Sequence, residues 1–518
     1  MFILFVLLAL TASLSALLTV ANLWQVKEWR IDRLREHLRS EGVLFQLLGT
    51  TRPAILLLAL PSLVLRWISP ELWTAGVLAS LTALTIVKFA LGKQPSPVWT
   101  AKALAIVSVS IVFSIAIAFA LIDLLPSQRL PILILLPLSQ PLVILFAWCL
   151  FYPLDFFLKR RIMRQAMRLR ARNPDLIVIG ITGSVGKTTT KELLLHLLKD
   201  RGARATPAYV NSEIGVSRWM IRELSATASP KILIVEMGAY QGGEIALLAK
   251  IAQPLLGIIT FIGTQHIALF GSQERLLDAK AELFEALPKE GAAILNGDSP
   301  FAQALQSRAH CRTVTVSTGE SADLEAFDIE ETSTGLKFRA GNTVVSVPLH
   351  GTHNVSNILL AMAAAETIGM KRSECARSLL TFRPPEHTFS VRSVGSVTLL
   401  DDTHNASPAS FSAAILWAKA HPSEQKVLFS SGLIELGEEE DRFHAKLGME
   451  AAGVFHRVIF THHRHARSFE RGFGRPVEFL SKHTMPVPPG VLFVCIGRIP
   501  EQHIRSLLPR PETHRPTP

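Results

Sequence analysis

Cysteine is scarce in this chain of 518 residues, and Cys149, Cys311, Cys375 and Cys495 stand far apart. They form no CxxC pair and no metal-ligand spacing, which excludes a disulfide framework and a cysteine zinc site and makes a reducing compartment the default. Charge is scarce as well. Only 18% of the residues are charged against 49% apolar, and a mean hydropathy of +0.32 excludes disorder as the main state and argues against a wholly soluble chain. Acid is the rarer sign, with 42 Asp and Glu against 53 Lys and Arg and a net charge of +11. Such a surplus implies a nucleic-acid partner only if it is spread over a soluble face, so its placement decides. The length leaves room for about three ordinary domains.

Placement is uneven. Before about residue 158 the chain holds five apolar runs, near 2–22, 53–72, 74–92, 103–125 and 130–157, each long enough to cross a bilayer core of about 30 Å. The first run lacks a basic leader and a small-residue cleavage site, so it reads as an anchor and not a signal peptide. Lys27, Arg30, Arg33, Arg35 and Arg39 follow the first run, Lys93 and Lys102 the third, and Lys159, Arg160, Arg161, Arg164, Arg168, Arg170 and Arg172 the fifth. With five spans all three basic sets fall on one side. The positive-inside rule then puts the N-terminus outside the cell (inner) membrane and everything beyond residue 172 in the cytoplasm. Arg66 interrupts the second run, but a four-span arrangement breaks the charge pattern. A basic segment directly after a span meets anionic lipid headgroups, at about 1 kcal/mol per charge, more readily than nucleic acid. Asp123 and Asp155 fall near span ends and read as interfacial.

After Pro174 apolar strands alternate with amphipathic helices, the pattern of an α/β domain with a mostly parallel sheet. The run Leu176 to Ile181 leads into Thr182-Gly183-Ser184-Val185-Gly186-Lys187-Thr188-Thr189-Thr190-Lys191, followed by a helix. Strand, glycine loop and helix make a phosphate cradle. The amides of Gly183, Ser184, Val185 and Gly186 curl around phosphate oxygens, Lys187 reaches the terminal phosphates, and the Thr188 hydroxyl can ligate magnesium with Thr189 beside it. The spacing is G-x-x-G-K-T, with Ile181 where a longer loop would have its first glycine. Glu236 closes the apolar run Lys231 to Val235, a position that brings its carboxylate to the strand ends beside the loop as a metal ligand.

This loop resembles that of the Mur ligases and folylpolyglutamate synthetases, ATP-dependent enzymes that join an amino acid or peptide to a carboxylate. Within the Mur ligases the D-alanyl-D-alanine-adding members are the most similar, through Asn211-Ser212-Glu213-Ile214-Gly215-Val216, Glu236-Met237-Gly238-Ala239 and Gly243-Glu244-Ile245. The resemblance extends from about 176 to about 450 with the motifs in order. It implies ATP and Mg2+ as cofactors, with His266 as a further metal ligand and Lys280 carbamylated to hold a second magnesium. On residue type alone His266 is a solvated loop histidine and Lys280 a surface lysine in a helical ion pair. The resemblance also assigns Asn296, in Asn296-Gly297-Asp298, and Asn354, in Gly351-Thr352-His353-Asn354-Val355-Ser356-Asn357, to the nucleotide base. Asn354 and Asn357 read equally well as helix caps.

Beyond Arg383-Pro384-Pro385 a second α/β, Rossmann-like domain is expected. A strand Val397 to Leu400 ends in Asp401-Asp402-Thr403-His404-Asn405-Ala406-Ser407-Pro408, and Gly432-Leu433-Ile434-Glu435-Leu436-Gly437 is followed by His444. By resemblance Asp401 and Asp402 contact ribose and phosphates, while Asn405, Ser407, Glu435 and His444 lie toward the incoming amine. Two departures stand out. Glu386-His387 occupy the place of a Gly-Arg whose arginine binds ATP phosphate, leaving Arg392 or Arg383 to compensate, and membrane spans stand where Mur ligases have a UDP-binding domain.

The organisation expected is therefore a membrane region over 1–158, a basic juxtamembrane linker over 159–174, a central ATP-binding domain over 175–383 and a C-terminal ligase domain over 384–518. The expected activity is an ADP-forming amide ligase in which Lys187, His266 and Lys280 are catalytic. Its partners would be a peptidoglycan-precursor carboxylate, UDP- or lipid-linked, together with D-alanyl-D-alanine or an amino acid, and membrane lipids. Rival readings are an amide ligase with another acceptor, a transporter or sensor driven by a cytoplasmic NTPase domain, and a weakly catalytic scaffold.

Overall fold

A computed structural model describes the chain apart from residues 1, 42–46, 48–68, 125–130, 264–269, 320, 333, 404–405, 434–438, 464–465, 482 and 510–518. The chain divides into two compact units, Met1–Arg160 and Arg161–Pro518.

The first unit is helical. Among the described residues, four helices are long and apolar enough to cross a membrane: Ile3–Val26, Glu71–Ala90, Ala101–Asp123 and Leu135–Ala171. They coincide with four of the five apolar runs; the run near 53–72 lies for the most part outside the described residues, as does Arg66. Ala9, Ala16, Val20 and Ala21 are small and buried, which lets Phe2–Val26 pack closely on its neighbours. The outer faces keep large apolar side chains exposed, among them Leu104, Val112, Leu142, Phe146 and Leu150. Polar groups are satisfied in pairs. Trp148 Nε1 donates to the Trp29 carbonyl at 2.9 Å, and Asp155 takes Lys102 at 2.9 Å and Lys159 at 3.2 Å.

Residues 159–171, expected as a linker, are the end of the helix Leu135–Ala171. From Arg161 on they belong to the second unit, where Met163, Ala166, Met167 and Leu169 join its core while Arg161, Arg164 and Arg168 stay exposed. Arg170 is buried, and its guanidinium caps the helix Glu244–Ala252 by donating to the Ala252 carbonyl at 3.2 Å.

Two sheets build the second unit. The first contains β1 (Ile177–Thr182), β2 (Ala203–Ala205), β3 (Ile232–Glu236), β4 (Leu256–Ile259), β5 (Ala292–Asn296), β6 (Arg312–Ser317), β7 (Leu324–Thr332), β8 (Gly335–Ala340) and β9 (Thr343–Val347). Their order is β2-β3-β1-β4-β5-β6-β7-β8-β9, parallel through β7 and antiparallel from β7 to β9. The strands β1, β3, β4 and β5 are apolar on both faces because both are covered. Ile179, Ile181, Ile234 and Ile258 face one core, and Val178, Leu233, Val235 and Ile259 the other. The second sheet contains β10 (Ser390–Val394), β11 (Val397–Asp402), β12 (Lys426–Ser430), β13 (Arg457–Phe460), β14 (Glu478–Phe479) and β15 (Leu492–Ile496), in the order β10-β11-β15-β12-β13-β14. Only β10 runs antiparallel in it. It too is covered on both faces, by clusters around Leu400 and Val494 and around Leu399 and Phe493. The C-terminal ends of β1, β3, β11 and β15 carry the residues described next.

Candidate nucleotide site

The turn after β1 is held open by its own backbone. Gly183 and Gly186 have φ of 146° and 86°, and Ser184 N donates to the Phe261 carbonyl at 2.7 Å. A Cβ on Gly186 would lie 2.2 Å from Asn357 Oδ1, so only glycine fits beneath that helix. Gly186 begins the helix Lys187–Leu198, whose first amides face the loop. Lys187 folds back, Nζ donating to the carbonyls of Gly183 at 2.7 Å and Ser184 at 3.1 Å. Burial pushes its amine below the ordinary lysine value, partly offset by Glu236. The Ser184 hydroxyl is buried with no partner among the described residues, which leaves a donor for a ligand oxygen in the loop.

Glu236, at the end of β3, is 5% exposed. Its carboxylate accepts from Thr188 Oγ1 at 3.1 Å and Asn211 Nδ2 at 3.3 Å, and Lys191 Nζ lies 3.5 Å away with no exposed surface. A hydroxyl and a buried carboxylate side by side suit a hard divalent cation. Among the described residues no three or more His, Cys, Asp or Glu side chains form a metal cage. The donors present therefore fit an ion completed by phosphate oxygens and water.

Ser184, Val185, Gly186, Lys187, Thr188, Thr189, Glu236, Lys280, Asn354 and Asp402 line one cavity of about 600 Å³, so one site gathers these expected residues from both sheets. Lys280, on the helix Gln273–Glu285, is 2% exposed and not the surface lysine of the plain reading. Burial, reinforced by Lys187, pushes its amine down to about 7. Asp402 is pushed up to about 6, chiefly by burial, with the Phe389 amide holding its Oδ1 at 3.3 Å.

Other expectations change. Asn354 and Asn357 do not cap their helix Asn354–Thr367, which has no side-chain cap bond. Asn354 donates to the His350 carbonyl at 2.8 Å and accepts from Asn357 at 2.9 Å, bracing the loop through Gly186. Asn296, Ser407 and His444 do not line this cavity. Asn296 Oδ1 accepts from the Asp298 amide at 3.0 Å, and Ser407 caps the helix Pro408–Ala420 while lining a separate apolar cavity of about 450 Å³. His444 is fully buried, Nε2 accepts from the Leu433 amide at 2.9 Å and Nδ1 meets the Glu440 carbonyl at 2.7 Å, so its ring is held at the loop–helix junction. Asp401 pairs with His387 at 2.8 Å and has Arg392 at 3.6 Å, and neither His387 nor Arg392 lines the cavity. His266, Asn405 and Glu435 lie outside the described residues.

Sequence reasoning assigned no role to Tyr209, His353, Phe389 or Arg498, which also line the cavity. Gly497-Arg498 directly after an apolar strand was the available signal for the last. His353 is driven down to about 4 by burial, and its ring meets Phe389 edge-on with centroids 5.0 Å apart.

Residues 181–365 match the Mur ligase middle domain. A UDP-N-acetylmuramoyl-tripeptide–D-alanyl-D-alanine ligase from Synechocystis sp. is 36% identical over 278 residues, 54% of this chain and 60% of that protein. The Escherichia coli ligase of the same name is 31% identical over 307 residues, 57% of this chain and 67% of that one. The chain thus spans about 60% of the length of curated relatives it matches. The crystal structure of a MurF ligase from Thermotoga maritima in complex with ADP is 25% identical with a TM-score of 0.58, covering 67% of this chain and 83% of that one.

Proposed function

The chain belongs to the Mur ligase family, and from that premise we propose that it is an ATP-dependent, ADP-forming amide ligase working at the cytoplasmic face of a membrane. The observation that carries the reading is the single cavity shared by the phosphate loop, Glu236, Lys280 and, from the second sheet, Asp402. The relatives' names supply the substrates proposed here, a muramoyl-tripeptide carboxylate and D-alanyl-D-alanine.

In the proposed reaction a carboxylate oxygen bonds to the γ-phosphorus of ATP as its bond to ADP breaks. The amine then bonds to the acyl carbon as phosphate leaves, and the amine proton is released. Positioning and charge neutralisation supply the acceleration. The loop amides and Ser184 hold phosphate oxygens, and Lys187 swings from its own carbonyls to the terminal phosphates. Thr188 and Glu236 would hold Mg2+, with His266 and carbamylated Lys280 added on the family resemblance. Bound there, Mg2+ supplies neutralisation of the triphosphate charge. A buried amine pushed down to about 7 is about half uncharged at neutral pH, and the uncharged form adds to carbon dioxide and releases a proton to become a carbamate, which supports Lys280 in that part. Asp402 brings a group from the second sheet into the cavity of the phosphate loop, and closure of the two domains on the nucleotide would tighten that site.

Membrane attachment rests on the four long apolar helices and on the large apolar side chains they leave exposed, a surface that water would not tolerate. A lipid-linked acceptor would then be within reach, as would a soluble one. The test is purified full-length protein in detergent, given ATP, Mg2+, bicarbonate and a panel of UDP- and lipid-linked muramoyl peptides with D-alanyl-D-alanine or single amino acids. ADP release should depend on one acceptor–amine pair and disappear in Lys187→Ala. Release unaffected by any acceptor and by that substitution would defeat the ligase reading.

A further inference from the structure

We propose that Arg498 is a second phosphate-binding cation of the cavity, supplied by the C-terminal sheet, and that it pairs with the charge that ATP carries and ADP lacks. The inference rests on the nucleotide reading above and adds a residue to it.

Arg498 lines the cavity together with Lys187 and Thr188, although more than 300 residues of sequence separate them. Its turn is fixed. β15 lies beside β11 with Ile496 opposite Asp402, and the Gly497 amide donates to the Asp402 carbonyl at 3.2 Å. Gly497 has φ of 104°, and a Cβ there would fall 2.3 Å from Ser431 Oγ, so the chain can turn into the cavity only at a glycine. Pro500 follows and starts the helix Glu501–Leu507. Arg498 is thereby presented beside Asp402 by a backbone with little freedom.

The charge balance of the cavity assigns the role. Among the described residues its lysines and arginines are Lys187, Lys280 and Arg498, against the carboxylates Glu236 and Asp402. His387 and Arg392, the basic groups that approach the neighbouring Asp401, do not line the cavity. Lys187 and the loop amides serve the phosphates that ATP and ADP share. A guanidinium is permanently charged and offers a planar fork of donors to phosphate oxygens, so the added negative charge of the γ-phosphate falls to Arg498. Because it belongs to the other domain, its pairing also links domain closure to the presence of the γ-phosphate.

The test uses full-length protein in detergent with Mg2+ and the fluorescent probes mant-ATP and mant-ADP. Arg498→Ala should weaken mant-ATP binding by about tenfold or more and mant-ADP binding by less than about threefold. Arg498→Lys, which keeps the charge but loses the fork, should fall between wild type and alanine. Arg498 is exposed, so both variants should fold, and the ratio of the two affinities is insensitive to the folded fraction. An unchanged ratio overturns the proposal, whether both affinities hold or both fall together. Wild-type protein that binds neither probe would overturn the nucleotide reading itself, a distinct outcome.

Discussion

Lys280 is held at 2% exposure with its amine pushed down to about 7 from an ordinary 10.5. Between those values the unfolded chain binds more protons than the folded one, so this residue makes stability rise with pH from about 7 to the ordinary 10.5 and adds no pH dependence below the folded value. In carbon dioxide-free buffer, Tm measured from pH 7 to 10 should climb less in Lys280→Met than in wild type. ADP release should fall by about a hundredfold or more, the loss expected when a group that stabilises transition-state charge is removed. An unchanged pH slope would show that another group carries it. The type and helical setting of Lys280 were legible in Asp278-Ala279-Lys280-Ala281-Glu282-Leu283, but its burial was not. Phe270, whose ring lies 6.0 Å from Nζ, belongs to a segment ten residues away that only folding brings over it.

The helix Glu440–Ala452 shows the same division one level up. By resemblance His444 lies toward the incoming amine, but resemblance conveys position and not environment. In the fold that ring ties the helix to the segment at Leu433. His444→Ala should therefore cost about 2–4 kcal/mol of stability, from a cavity and an orphaned amide. Denaturant unfolding would measure the loss, and mant-ADP affinity per folded molecule should be unchanged; a selective loss of binding would return His444 to the site. The basic stretch 159–172 shows a related division. Seven cations in fourteen residues hide the apolar face formed by Met163, Ala166 and Met167, because buried Arg170 interrupts it and finds its partner at Ala252, more than eighty residues away.

At the scale of the molecule, the five-span arrangement expected from charge in the connecting segments makes a sharp prediction. A C-terminal reporter active only in the cytoplasm should be active, and one that matures only outside should be silent; the reverse would overturn the proposed orientation. What the sequence by itself determined was local and periodic: the apolar runs, the order of strands and helices, and the phosphate loop, each set by residues within one turn or strand of one another. Only the tertiary structure decided which of those residues share a cavity. Asp402 and Arg498 share the cavity of Lys187 because β11 and β15 pair in register within one sheet while β1 and β3 pair in the other. Such pairings are made across hundreds of residues by burial of both sheet faces, and burial also decides which lysine's amine is pushed down and which histidine's ring is enclosed.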